Sequence, residues 1–220
     1  HDARIRDKEL MSPRQAWRAI QAGLPRDAII SSDIGNNCAI GNAYPSFDEG
    51  RKYLAPGLFG PCGYGFPSII GAKIGNPHVP CVGFAGDGAF GISMNEMSSV
   101  GREEWPGVTM VIFRNYQWGA EKRNSILWYD NNFVGTELDR HLSYAKLAEA
   151  CGLKGVVVKT QQELTDALRE SCEAQKQGKT TFIEVLLNQE LGEPFRRDAM
   201  KKPVVVAGIS REDMRPQKVA

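Results

Sequence analysis

Apolar positions along the chain fall into two alternating patterns. Short β-branched runs at 28–32, 79–85, 108–113, 155–159 and 181–187 predict strands. Stretches with helical spacing at 13–22, 66–74, 92–102, 143–150 and 162–175 predict helices, two of them with start signals at Ser12-Pro13 and Ser143. Strand and helix alternating at this spacing predict an α/β fold: a three-layer, doubly wound, mostly parallel sheet with helices on both faces. Such sheets bind ligands off the carboxyl ends of their strands, so the loops that follow the strands are the place to search.

Two stretches break the alternation. Residues 35–65 are rich in Gly, Asn, Pro and aromatics, more than a connector needs. Residues 189–220 carry Pro194, Arg196, Arg197, Lys201, Lys202 and Pro203 and read as an irregular arm. The expected organisation is therefore one domain over 1–190 and a C-terminal arm over 191–220. With 42% hydrophobic residues in 220, such a domain can bury its own core. The 27 Lys and Arg against 26 Asp and Glu leave a net charge of +1, which gives no basic field for nucleic acid. The five cysteines are odd in number and scattered, with no Cys-x-x-Cys pair, so neither a disulfide framework nor a zinc site is expected. No apolar run approaches the roughly 20 residues of a membrane span, and His1-Asp2-Ala3-Arg4 is charged where a leader turns apolar. A cytoplasmic protein is expected, and the start on His1 rather than Met suggests a segment of a longer chain.

The predicted strand at 79–85 runs into Gly86-Asp87-Gly88-Ala89-Phe90-Gly91, with a helix expected to open near Ile92. Glycines that let the backbone approach a ligand, followed by helix-start amides, make a phosphate cradle. Its glycines alone match Gly-x-Gly-x-x-Gly, the dinucleotide fingerprint, with Arg114 placed to meet a 2′-phosphate. Asp87 argues against that alternative, because a carboxylate there repels a pyrophosphate unless a cation intervenes. Mg²⁺ takes oxygen ligands from carboxylates, amides and phosphates, and Asn115, just past the next predicted strand, is the candidate second ligand.

Gly86-Asp87-Gly88, then 26 residues, then Asn115 resembles the signature of thiamine diphosphate enzymes. That resemblance implies thiamine diphosphate and Mg²⁺ as cofactors, with Asp87, the Asn115 side chain and the backbone carbonyl of Gln117 as metal ligands. Upstream, Gly60-Pro61-Cys62-Gly63-Tyr64-Gly65-Phe66-Pro67 resembles the stretch of acetolactate synthases in which a hydrophobe wedges beneath the cofactor; that position is Cys62, with burial as a small filler the other reading. Asp33-Ile34-Gly35-Asn36-Asn37 resembles the segment that contacts the distal phosphate. The implied cofactor contacts are Gly35, Asn36, Asn37, Gly60, Cys62, Gly86, Asp87, Gly88, Ala89, Phe90, Asn115, Gln117 and Gly119. Residues 84–95, 114–124, 132–138 and 188–200 resemble the sulfoacetaldehyde acetyltransferases among these enzymes. The implied reaction converts sulfoacetaldehyde and phosphate into acetyl phosphate and sulfite; an acetolactate synthase-like enzyme, a 2-oxoacid decarboxylase and a non-catalytic cofactor-binding module are the alternatives.

The resemblance also implies what this chain lacks. The activating glutamate of such enzymes lies on a pyrimidine-binding domain of another subunit, so a homo-oligomer is expected and the chain alone is expected to be inactive. Glu96 reads as a solvated helix residue rather than a substitute base, and His78 and His141 as loop positions. Trp118, Trp128 and Tyr129 flank a charged stretch, Glu121-Lys122-Arg123-Asn124, read either as a loop able to close over substrate or as a solvated loop. Arg196-Arg197 and Lys201-Lys202 could meet a sulfonate or phosphate, with a solvated arm as the plainer reading.

Overall fold

The computed structural model describes residues 8–102 and 104–192, together with the backbone alone of residues 127 and 128. In chain order its elements are α1 (Pro13–Gly23), β1 (Ile29–Ser32), α2 (Asn36–Gly41), β2 (Tyr53–Leu54), α3 (Gly65–Gly75), β3 (Cys81–Gly86), α4 (Asp87–Ser93), α5 (Met97–Val100), β4 (Thr109–Arg114), α6 (Gly119–Trp128), α7 (Tyr144–Ala150), β5 (Lys154–Val158), α8 (Gln161–Ala174) and β6 (Thr181–Leu186). The strands form one sheet in the order β2-β1-β3-β4-β6-β5, and every pairing is parallel.

Covering both faces explains why the strands read as continuous apolar runs. Along β4, Met110 and Ile112 face one core with Phe66, Phe90 and Phe182, while Val111 and Phe113 face the other with Trp17, Leu164 and Leu168. Helices α1 and α8 cover the second face; α3, α4, α5 and α7 cover the first. Trp17 of α1 packs on Phe84 and Phe113 at ring distances of 4.8 and 5.3 Å. Its indole N–H donates to the Asn37 carbonyl at 2.8 Å, which ties α1 to the start of α2.

The five expected strands and most expected helices stand within one or two residues of their predicted limits. Three expectations are corrected. The helix after β3 opens at Asp87 rather than near Ile92, because Gly86 takes an extended conformation and serves as N-cap. A carboxylate in the first turn suits the positive end of a helix. The expected single helix over 92–102 is divided between the end of α4, a 3₁₀ turn at Met94–Glu96 and α5. The stretch 35–65, more than a connector, holds α2 and the two-residue β2, both too short to show a period. Finally, residues 121–124 lie inside helix α6 rather than in a loop. Lys122 anchors that helix through a 2.5 Å ion pair with Glu137. Most of the expected C-terminal arm, with its Arg and Lys pairs, falls outside the described residues, as does the Trp128 side chain.

Candidate functional site

Helices α2, α4 and α6 follow the carboxyl side of β1, β3 and β4, the three adjacent central strands, so their N-termini meet at the same edge of the sheet. All three lack a side-chain hydrogen bond at the N-cap, whereas α1, α7 and α8 are capped by Ser12, Ser143 and Thr160. Uncapped first turns leave amide donors available to an anion. Between them lies a cavity of ≈ 280 Å³ lined by Gly35, Asn36, Asn37, Gly60, Cys62, Gly86, Asp87, Gly88, Ala89, Gln117 and Gly119, together with Ile34, Trp118, Ala120 and Glu121.

The glycines are there for two reasons. Gly35 has φ +119°, which L side chains rarely adopt. Gly86 has ordinary φ, and a Cβ on it would meet only the Asn37 side-chain nitrogen, at 3.9 Å. A Cβ there would project into the cavity rather than clash with the described protein atoms. Gly88 lies under the Trp118 ring, where a Cβ would stand 2.8 Å from Cε3, so the indole forms a wall that only glycine admits. Asp33 holds the glycine-rich segment in place: its carboxylate accepts from the amides of Gly63 at 3.1 Å and Gly65 at 2.6 Å.

Asp87 sits at 1% exposure. Its Oδ2 accepts from the Tyr116 amide at 2.6 Å and from Arg114 Nη1 at 3.2 Å, while Oδ1 accepts from the Gly88 amide at 3.0 Å. Tyr116 reaches that position with φ +59°, a left-handed conformation that is costly away from glycine and often found at functional sites. Burial pushes the Asp87 carboxyl up to about 6, against the pull of Arg114 and the two amides. The Tyr144 hydroxyl, on α7, donates to the Asp87 carbonyl at 2.8 Å.

Asn115 is likewise buried, and its Oδ1 has no hydrogen-bond partner among the described residues. Its Nδ2 faces Asn37 Oδ1 at 3.5 Å. Gln117 bridges to Glu137 through bonds made by its neighbours, Trp118 N to Thr136 O and Leu138 N to Tyr116 O, so that ladder does not engage the Gln117 carbonyl. Gln189 fastens this segment: its side-chain amide donates to the Asn115 carbonyl at 3.1 Å, and its own carbonyl accepts from Gln117 Nε2 at 3.2 Å. One carboxylate, one unpartnered amide oxygen and one carbonyl are an oxygen-only set suited to a hard cation such as Mg²⁺. No group of three His, Cys, Asp or Glu side chains converges among the described residues, and this donor set is not of that kind.

Of the residues expected from the sequence, two stand apart from the cavity lining. Asn115 lies beneath it, and the Phe90 ring is buried in the core against Phe66 and Tyr144, so only its backbone is placed to meet a ligand. The Asn36 amide is already committed, accepting from Gly192 N at 2.7 Å and donating to Glu190 O at 3.1 Å. Cys62 is an exposed thiol on the cavity lining, not a buried filler. Glu96, His78 and His141 are exposed. Arg114, which a dinucleotide would need at a 2′-phosphate, is 1% exposed and paired with Asp87 and Glu184. A larger cavity of ≈ 570 Å³ adjoins through Ile34, Gly35 and Ala120, but it contains only Gly35 of the expected residues, so chemistry rather than size marks the site. Sequence reasoning missed Trp118 as a wall and Arg114, Tyr116 and Gln189 as supports; Gln189 acts from 72 and 74 residues away and leaves no local signal.

Residues 33–185 match the family model described as thiamine pyrophosphate enzyme, C-terminal TPP binding domain. The chain is 76% identical over 216 residues to a probable sulfoacetaldehyde acetyltransferase of Rhizobium meliloti (strain 1021), covering 98% of this chain and 36% of that protein. It is 72% identical over 217 residues to the sulfoacetaldehyde acetyltransferase of Roseovarius nubinhibens, covering 99% and 36%. A solved structure, the thiamine diphosphate-dependent 4-hydroxybenzoylformate decarboxylase of Rhodococcus jostii RHA1, superposes with TM-score 0.73 at 25% identity over 81% of this chain and 33% of that one. The chain thus spans about a third of the length of the relatives it matches.

Proposed function

Because the chain belongs to the thiamine pyrophosphate enzymes, as their C-terminal TPP-binding domain, we propose that it anchors the cofactor of a sulfoacetaldehyde acetyltransferase. The parent enzyme converts sulfoacetaldehyde and phosphate into acetyl phosphate and sulfite. The observation that carries the cofactor half is the convergence of three uncapped helix N-termini on one cavity beside Asp87 and the unpartnered Asn115 oxygen. The substrate half is supported by 76% identity over 98% of the chain to a protein of that name.

In this reading the amides of the first turns of α2, α4 and α6 bind the diphosphate. Asp87, the Asn115 side chain and the Gln117 carbonyl hold Mg²⁺, which offsets the charge of Asp87 against the phosphates. When bound, thiamine diphosphate would supply a nucleophilic carbon and an electron sink that stabilises negative charge at the substrate's own carbonyl carbon. Cys62, on the cavity lining beside Gly60, supports the ring-bearing end of the cofactor. Proton transfer at the cofactor falls to a glutamate on the pyrimidine-binding domain of another subunit, so the functional unit is a homo-oligomer. The Leu58-Phe59 pair, 107% and 93% exposed between Gly57 and Gly60, supports a protein contact beside the cavity.

Full-length protein supplied with sulfoacetaldehyde, phosphate, Mg²⁺ and thiamine diphosphate should release sulfite. Carbon dioxide from pyruvate without sulfite would assign the acetolactate synthase-like or decarboxylase alternative instead. Loss of cofactor binding in Asp87→Ala tests the anchoring role separately.

A further inference from the structure

We propose that Arg114 determines which divalent cation the site prefers, by engaging one oxygen of Asp87 and leaving only the other, Oδ1, clear of the guanidinium to act as ligand, which favours Mg²⁺ over Ca²⁺. The inference rests on the reading of Asp87 as a cation ligand and adds a residue that sets its denticity. The two oxygens of Asp87 are not equivalent. Oδ2 takes both the Tyr116 amide at 2.6 Å and Arg114 Nη1 at 3.2 Å, whereas Oδ1 takes only the Gly88 amide at 3.0 Å. A cation that used both oxygens would have to displace the guanidinium or sit against its positive charge.

Arg114 is built not to yield. Its Nη2 donates to the carbonyls of Leu142, at 2.9 Å, and Asp139, and its Nε lies 3.6 Å from Glu184 Oε1. Glu184 is fixed in turn by the Ser143 hydroxyl at 2.7 Å and the Ala145 amide at 2.9 Å. The guanidinium carbon lies 4.4 Å from the Tyr116 ring centroid and 5.3 Å from that of Tyr144. Such a planar fork, held from both ends, is something a lysine cannot reproduce.

The consequence for cation choice follows from coordination habits. Mg²⁺ accepts about six oxygens in a strict octahedron and is satisfied by one oxygen per ligand, while Ca²⁺ takes about 6–8 and commonly uses both oxygens of a carboxylate. The amide of Asn115 and the carbonyl of Gln117 also offer one oxygen each. With Asp87 restricted to Oδ1, the site withholds the extra oxygen that Ca²⁺ uses.

The test uses full-length protein with thiamine diphosphate, titrated with MgCl₂ or CaCl₂ and followed by tryptophan fluorescence, for which Trp118 is a local reporter. Wild type should bind Mg²⁺ more tightly. In Arg114→Met and Arg114→Lys the ratio of Ca²⁺ to Mg²⁺ dissociation constants should fall about tenfold, the size of one lost charge-assisted hydrogen bond. A merely structural role would weaken both cations alike, so an unchanged ratio in a folded variant overturns the inference. If neither variant folds, the wild-type ratio decides, equal affinity for the two cations being the overturning result. Asp87→Asn distinguishes the two claims: unchanged cation binding there removes Asp87 as a ligand, whereas lost binding there with an unchanged ratio in the Arg114 variants defeats the role of Arg114 alone.

Discussion

If Asp87 holds a cation as proposed, acidification should strip it from this site, and the environment of Asp87 sets the pH at which it does so. Burial pushes this carboxyl up to about 6, while Arg114 and the amides of Tyr116 and Gly88 pull it down. A carboxylate must be ionised to bind a cation, so proton and Mg²⁺ compete for it. Mg²⁺-dependent binding of thiamine diphosphate should therefore be flat above pH 7 and weaken by about tenfold per pH unit below about 6. Without cation the sign reverses. The folded value of about 6 lies above the ordinary 3.8, so folding favours the neutral acid. That contribution is fully present below pH 3.8 and is lost as pH rises through about 6; a gap of about 2 pH units corresponds to about 3 kcal/mol. Acidification from pH 7 to 5 should thus weaken the cofactor-bound protein while this group stabilises the cofactor-free one. Fluorescence titration of the full-length protein from pH 8 to 5, and thermal melting with and without Mg²⁺ and cofactor, measure the two effects. Asp87→Asn should abolish both pH dependences. An affinity flat down to pH 5, or an unaltered pH profile in Asp87→Asn, would refute the assignment.

Other expectations concern the walls of the site. Gly86→Ala places its Cβ in open cavity, 3.9 Å from the nearest protein atom, so melting should stay near wild type while cofactor affinity drops; unchanged affinity would argue that no ligand occupies that space. Gly88→Ala drives a Cβ to 2.8 Å from the Trp118 ring and should cost about 1–3 kcal/mol of stability as well as affinity, read by denaturant unfolding and cofactor titration together. Trp17→Phe keeps the aromatic packing on Phe84 and Phe113 but loses the bond to the Asn37 carbonyl, and should cost about 1–3 kcal/mol while loosening the start of α2. Phe59→Ser removes a 93% exposed ring and should leave domain stability intact but weaken subunit association in analytical ultracentrifugation; unaltered assembly would take Phe59 out of the proposed interface.

What was legible in the sequence and what was not divides along physical lines. Both faces of the central strands are buried, so β1, β3, β4 and β6 announce themselves as apolar runs, and the long helices α1 and α8 show helical spacing. The short elements at the site do not. Six-residue α2 and two-residue β2 are below the length at which a period can be read, and α4 starts on glycines that suggest a loop. Helices α2 and α4 also line the cavity, and a helix without an N-cap side chain lacks the Ser or Thr start signal that identifies α1, α7 and α8. The residues proposed as cation ligands, Asp87 and Asn115, are suggested by charge and spacing in the sequence. Their supports are not: Arg114 lies within a buried strand, where the only sign of its role is that such a charge needs partners, and those partners come from residues 139, 142 and 184. A buried arginine next to a candidate metal ligand is thus better read as part of the cation site than as a phosphate contact. That is how Arg114 passes from the residue that favoured a dinucleotide to the one that restricts Asp87 to a single oxygen.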